Sequence, residues 1–148
     1  MSLAYLDNNA TTPLEPRALE AMLRWLEGRC GNPSSVHRAG RRARQAVDEA
    51  RERVAALAGA EPREIVFTSG GTEANNLAIK GVAARREPGL MAVSAIEHPC
   101  VLEAADTLRA RGWEIESLGV DPSGQVRGET FDAVLSRRPA LVSVMWAN

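Results

Sequence analysis

The sequence predicts an α/β fold: three layers, with a mostly parallel sheet and helices on both faces. Three observations carry this. From residue 65 onward, short apolar runs alternate with stretches of helical periodicity. The segments between those runs are long enough for crossover connections, which favour parallel, right-handed pairing. The hydrophobic fraction of 45% and charged fraction of 25% supply the apolar surface of an ordinary globular domain. At 148 residues one domain is expected, 1–148, with 1–30 as an N-terminal arm and helix.

The elements follow in order. Residues 5–15 (YLDNNATTPLE) are rich in Asp, Asn, Thr and Pro and predict an irregular entry segment. Pro16 suits a first helical turn, and Ala18, Leu19, Met22, Leu23 and Leu26 form an apolar stripe to about Glu27, stopped by Gly28. Residues 28–36 read as a loop. A long helix is expected from Arg38 to Ala58, with Ala43, Ala46, Val47, Ala50, Val54 and Leu57 inward, a Glu49–Arg53 pair outward and Gly59 as cap. Then come a strand at Ile65-Val66-Phe67, a turn at Gly70-Gly71 and a helix from Thr72 to about Ala84. A strand Met91–Ile96 precedes a helix Pro99–Arg111, capped by Gly112. A strand Trp113–Leu118, a turn at Asp121–Gly124, a helix Glu129–Arg138 and a strand Ala140–Met145 complete the pattern.

Composition excludes several classes. The net charge of −1 favours neither nucleic acid nor an anionic membrane. The run Arg38-x-x-Arg41-Arg42-x-Arg44 lacks aromatics for base stacking and is followed by balancing acids, so it reads as a solvated helix face. No apolar stretch reaches the ~18 residues of a spanning helix. The N-terminus lacks the pattern of a signal peptide. Two cysteines, Cys30 and Cys100, with no C-x-x-C, fit a reducing, cytoplasmic setting better than a disulfide framework. Of eighteen Lys and Arg residues, Lys80 is the only Lys.

Two stretches could carry chemistry. Thr68-Ser69-Gly70-Gly71-Thr72-Glu73 opens a helix. Its glycines let backbone N–H groups approach a ligand, and its hydroxyls and the helix dipole favour a phosphate. The same residues also read as a plain glycine turn with a Thr72 N-cap. It is neither a Walker loop nor a G-x-G-x-x-G fingerprint. Glu97-His98-Pro99-Cys100 lies where a strand ends and a helix begins, on the ligand edge of a parallel sheet beside the glycine turn. His98 could stack on a flat ring or move protons there, or could simply occupy a helix N-terminus. His98 and Cys100 without further ligands do not make a metal site.

The strings YLDNNATTP (5–13), GNPSSVHRAG (31–40), IVFTSGGTEANNLAIKG (65–81), EHPCVLEA (97–104) and the terminal VSVMWAN (142–148) together resemble the cysteine desulfurases, fold-type I pyridoxal-phosphate enzymes of the class V aminotransferase group. Their order and spacing carry the resemblance, which runs from Tyr5 to the last residue. It implies the N-terminal part of the pyridoxal-phosphate-binding large domain. It also implies conversion of L-cysteine to L-alanine with an enzyme persulfide, for iron–sulfur cluster or other sulfur-containing cofactor assembly. The implied partners are a sulfur-acceptor or scaffold protein and a second copy in a homodimer.

By the same resemblance, Gly71 and Thr72 hold the cofactor phosphate, and His98 stacks on the ring and takes part in acid–base steps. Asn148 stands at the first of the family's Asn-Asn pair, one position from the residue that contacts the ring hydroxyl, and is carried as a cofactor-binding candidate. Asn32 and His37 lie in a family motif without an assigned role. The Schiff-base lysine, the persulfide cysteine, the Asp against the ring nitrogen and the Arg for the substrate carboxylate all match positions downstream. Lys80, Cys30 and Cys100 match none of them, so the 148 residues alone are expected to be inactive. Alternatives are another lyase or transferase of the superfamily, such as a selenocysteine lyase or a kynureninase-like hydrolase, and a non-enzymatic phosphate-binding module.

Overall fold

The structure is a computed structural model that describes residues 4–28 and 30–147. The chain forms two compact units, Met1–Phe67 and Thr68–Asn148.

In the first unit, α1 is Pro16–Leu26. Glu15 caps it by accepting from the Ala18 N–H at 3.1 Å, and Pro16 occupies a first-turn position where no N–H is needed. The predicted apolar stripe is present but not buried: Leu19, Met22, Leu23 and Leu26 are all exposed. Helix α2, Arg38–Ala58, has the predicted bounds and ends on Gly59 with φ 65°, a left-handed cap. Its buried residues are Gly40, Ala43 and Ala55, while Val54 and Leu57 face out, contrary to the periodicity. Glu49 accepts from Gln45 rather than pairing with Arg53, and the Asp48–Arg51 ion pair runs along the same surface.

The loop before α2 shows what the GNPSSVHRAG string does. Asn32 Oδ1 accepts from the Ser34 N–H at 2.9 Å, its carbonyl accepts from Ser35, and His37 caps α2 by accepting from Gly40. Arg44 donates back to the Pro33 carbonyl at 2.9 Å. The loop lies so close to the helix that a Cβ on Gly40 would sit 2.3 Å from the Ser35 carbonyl oxygen and 2.8 Å from that of Asn32. Gly40→Ala is therefore expected to destabilise the protein by ~1–3 kcal/mol. Urea or thermal unfolding checks this against Gly81→Ala, where the added carbon meets nothing.

Residues 65–67 are not a strand, which corrects the prediction. Ile65 is extended, but Val66 and Phe67 are exposed and no strand pairs with them among the described residues. Apolar, β-branched residues favour extended backbone, yet a strand exists only where a neighbour completes the ladder. The Phe67 ring instead lies under the Arg51 guanidinium, 5.5 Å from the centroid.

The second unit is the α/β layer structure. Helix α3 (Gly71–Ala84) is followed by β1 (Leu90–Ser94), α4 (Pro99–Arg109), β2 (Glu114–Leu118), α5 (Gly128–Ser136) and β3 (Leu141–Ser143). The strands pair in parallel in the order β2-β1-β3, with Met91 opposite Ile115 and Leu141. Central β1 is buried throughout, as expected for a strand covered on both faces.

Alternate β1 residues supply the two cores. Met91 and Val93 join Ile79, Ala83, Val101, Ala104, Ala105, Leu108 and Trp113 under α3 and α4. Leu90 and Ala92 join Leu118 and Val134 under α5. The sheet is thus sandwiched, as the sequence predicts, with element ends differing by one or two residues. A clamp closes the edge: Arg137 after α5 donates to Glu114 at 2.7 and 2.8 Å and to Glu116, both on β2.

Candidate functional site

Helix α3 begins without a side-chain cap. Gly70 holds the N-cap position in extended backbone, so Thr72 lies inside the first turn, not at the cap the plain-turn reading gave it. The first-turn N–H groups of Gly71 and Thr72 have no acceptor within the helix. A Cβ built on either Gly70 or Gly71 would meet nothing within 4 Å, so there is open space beside these two residues. Glu73 reaches back and accepts from the Ser69 N–H at 2.6 Å and hydroxyl at 2.7 Å, fixing the turn that precedes the helix.

The hydroxyl of Ser69, and then its N–H, hold the Glu73 carboxyl below its ordinary value of 4.5. A carboxylate favoured in the folded state stabilises the fold above its unfolded pKa, and that contribution is lost as pH falls through the lower folded value. Glu73→Gln is therefore expected to flatten the loss of stability below about pH 4.5 relative to the parent. Unfolding midpoints at about pH 6 and about pH 3 measure it.

His98 is the N-cap of α4. Its Nδ1 accepts from the Cys100 N–H at 3.1 Å, and Pro99 takes the first helical position. This geometry places the neutral ring's proton on Nε2 and leaves the exposed imidazole face open. Before it, Glu97 is buried, 7% exposed, and accepts from the Ser143 hydroxyl on β3 at 2.8 Å.

The two stretches meet, but by a different route from the predicted one. The glycine turn follows no strand, so the sheet edge does not align it with His98. Packing of α3 on α4 does so, with Asn75 Nδ2 donating to the buried Cys100 Sγ at 3.2 Å. Thr72, Asn76, Lys80, His98 and Glu103 line one groove of about 350 Å³ between these helices. Asn148 lies outside the described residues. His37 caps α2 in the first unit. Among the described residues no three His, Cys, Asp or Glu side chains cluster as a metal site, and no helix is long and apolar enough to cross a membrane.

Sequence reasoning missed Glu97 and Ser143 as a pair. The only hint was an acidic residue in the turn that follows a mostly apolar strand.

Residues 4–148 match the family described as aminotransferase class-V. A cysteine desulfurase of Frankia sp. (strain EuIK1) is 48% identical over 99% of this chain and 37% of its own length. A putative cysteine desulfurase of Bacillus subtilis (strain 168), IscS 1, is 45% identical over 100% of this chain and 40% of its own. Among solved structures, SspA in complex with cysteine superposes with a TM-score of 0.81 at 37% identity, covering 93% of this chain and 40% of that one. A NifS-like protein gives a TM-score of 0.78 at 37% identity, over 86% and 36%. The chain thus spans two-fifths or less of the length of these relatives.

Proposed function

We propose, from the premise that this chain belongs to the aminotransferase class-V family, that it is the cofactor-phosphate-binding part of a pyridoxal-phosphate-dependent cysteine desulfurase. The whole enzyme would convert L-cysteine to L-alanine and leave the sulfur as a persulfide on a protein thiol. It would act as a cytoplasmic homodimer that passes sulfur to an acceptor or scaffold protein. The observation that carries the reading is the groove in which the uncapped start of α3 and the ring of His98 come together.

The residues present fit the cofactor. The open space beside Gly70 and Gly71 admits a phosphate, and a helix start supplies donors and a favourable dipole. When bound, pyridoxal phosphate supplies the electron sink for bond changes at the substrate. The chain's own part is binding and orientation. Gly71 and Thr72 donate backbone N–H groups to the phosphate, and Thr72 adds its hydroxyl. His98, with Nδ1 engaged by Cys100, offers a ring face for stacking and Nε2–H as a proton donor. Asn148 stays a cofactor-binding candidate by resemblance, one position before the residue that would contact the ring hydroxyl. Neither cysteine is assigned as the sulfur-carrying thiol: by resemblance neither Cys30 nor Cys100 matches its position, and Cys100 is buried against Asn75. Lys80, on α3, is not assigned as the Schiff-base lysine, so the 148-residue chain is expected to release no alanine from cysteine.

Thermal unfolding tests the reading. Pyridoxal 5′-phosphate at about a hundred times its Kd is expected to stabilise the folded chain by ~2.7 kcal/mol. Inorganic phosphate should do so less at equal concentration. No protection by the cofactor at any soluble concentration would reject the proposal.

A further inference from the structure

We infer that Glu97 is a positioning residue, whose hydrogen bond to Ser143 holds the turn that aims His98 and ties that turn to β3. This rests on the reading of His98 as part of the cofactor site.

Consecutive residues of the turn after β1 point opposite ways: Glu97 is buried and His98 is exposed. The Glu97 N–H donates to the Ser94 carbonyl at 3.2 Å, and its Oε1 accepts from Ser143 Oγ at 2.8 Å, 46 residues on. The turn is therefore pinned through both backbone and side chain. His98 is held at one ring nitrogen, by the Cys100 N–H. Whether that bond forms depends on where the turn places the ring, and Glu97 sets this from the adjacent position. Ser143 closes β3, so the same bond ties the turn that carries His98 to the neighbouring strand.

Stability alone does not account for this pair. A buried polar side chain that makes one hydrogen bond to a hydroxyl gains little net stability over an apolar side chain of the same size. What the Glu97 side chain adds is a directional bond from the turn after β1 to β3, which fixes one geometry among several that packing would allow.

The chain's two histidines allow a direct test. Imidazole ¹⁵N NMR reports which ring nitrogen carries the proton, and His37, the cap of α2, is an internal reference. In the parent, His98 is expected as the Nε2–H form with Nδ1 accepting. In Glu97→Ala and Ser143→Ala, its two nitrogen shifts should move towards the mixed values of a free imidazole while those of His37 stay. Glu97→Gln and Ser143→Thr retain an acceptor and a hydroxyl and should restore the parent pattern. Affinity for pyridoxal 5′-phosphate, by calorimetry, should fall roughly tenfold in the two alanine variants.

A purely structural pair would lower the unfolding midpoint and leave the His98 pattern unchanged in the folded variants, and that result overturns the inference. If Glu97→Ala does not fold, Ser143→Ala decides, since it leaves the carboxylate in place. If the parent binds no pyridoxal 5′-phosphate yet the His98 signals still move, positioning stands and the cofactor reading falls.

Discussion

Gly71→Asp is expected to weaken pyridoxal 5′-phosphate binding by about a hundredfold, ~2.7 kcal/mol, while leaving the fold intact. The two halves of this expectation have separate causes. Nothing lies within 4 Å of a Cβ built at Gly71, and the residue has helical backbone, so an L side chain fits. A carboxylate in the first turn of a helix also interacts favourably with the dipole, so the variant should unfold no earlier than the parent. The same carboxylate would stand in the space assigned to the phosphate and repel it. Gly71→Ala separates the effects: it adds bulk without charge and should lose less affinity. Calorimetric titration with circular dichroism of each variant checks both halves. Equal affinity in Gly71→Asp would move the phosphate elsewhere.

The largest stability effect is expected at Leu108, which is 1% exposed on the inner face of α4. It belongs to the core formed with Ile79, Ala83, Met91 and Trp113 between the helices and the sheet. Truncation to Ala removes buried carbons and leaves a cavity that a sheet held by paired strands cannot readily close. The cost is about 2–5 kcal/mol. At roughly 4–8 °C per kcal/mol for a domain of 60–100 residues, this lowers the melting temperature by more than about 8 °C. Leu135, exposed on α5, is the control, and its replacement by Ala should change stability little. Because α4 also carries His98, Leu108→Ala should weaken cofactor binding only as far as it unfolds the chain.

Local pattern made most of the second unit legible. β1 reads as a continuous apolar run because both its faces are covered, and α4 carries a proline start and an inward stripe that needs no tertiary knowledge to see. The glycine turn and His98 were likewise visible as helix starts. What pattern could not supply was partners. Ile65-Val66-Phe67 has the composition of a strand, but composition does not provide the neighbour that makes one. The stripe on α1 exists as predicted, yet its residues are exposed, because periodicity marks an apolar face and not what covers it.

The roles of Asn32, His37 and Gly40 were hidden for a related reason. They depend on a loop folding back to within bonding distance of its own helix. The Glu97–Ser143 bond joins positions 46 apart and has no local signature. The association of the glycine turn with His98 was expected, but through a shared sheet edge. Helix packing through Asn75 and Cys100 brings them together instead.

The most direct test of the phosphate site at the start of α3 compares pyridoxal 5′-phosphate with pyridoxal, its phosphate-free counterpart, by calorimetric titration of the folded chain. The expected result is at least about tenfold tighter binding of the phosphorylated compound, ~1.4 kcal/mol, with the difference abolished by Gly71→Asp. Equal affinity for the two compounds, or a preference that survives Gly71→Asp, would contradict the account.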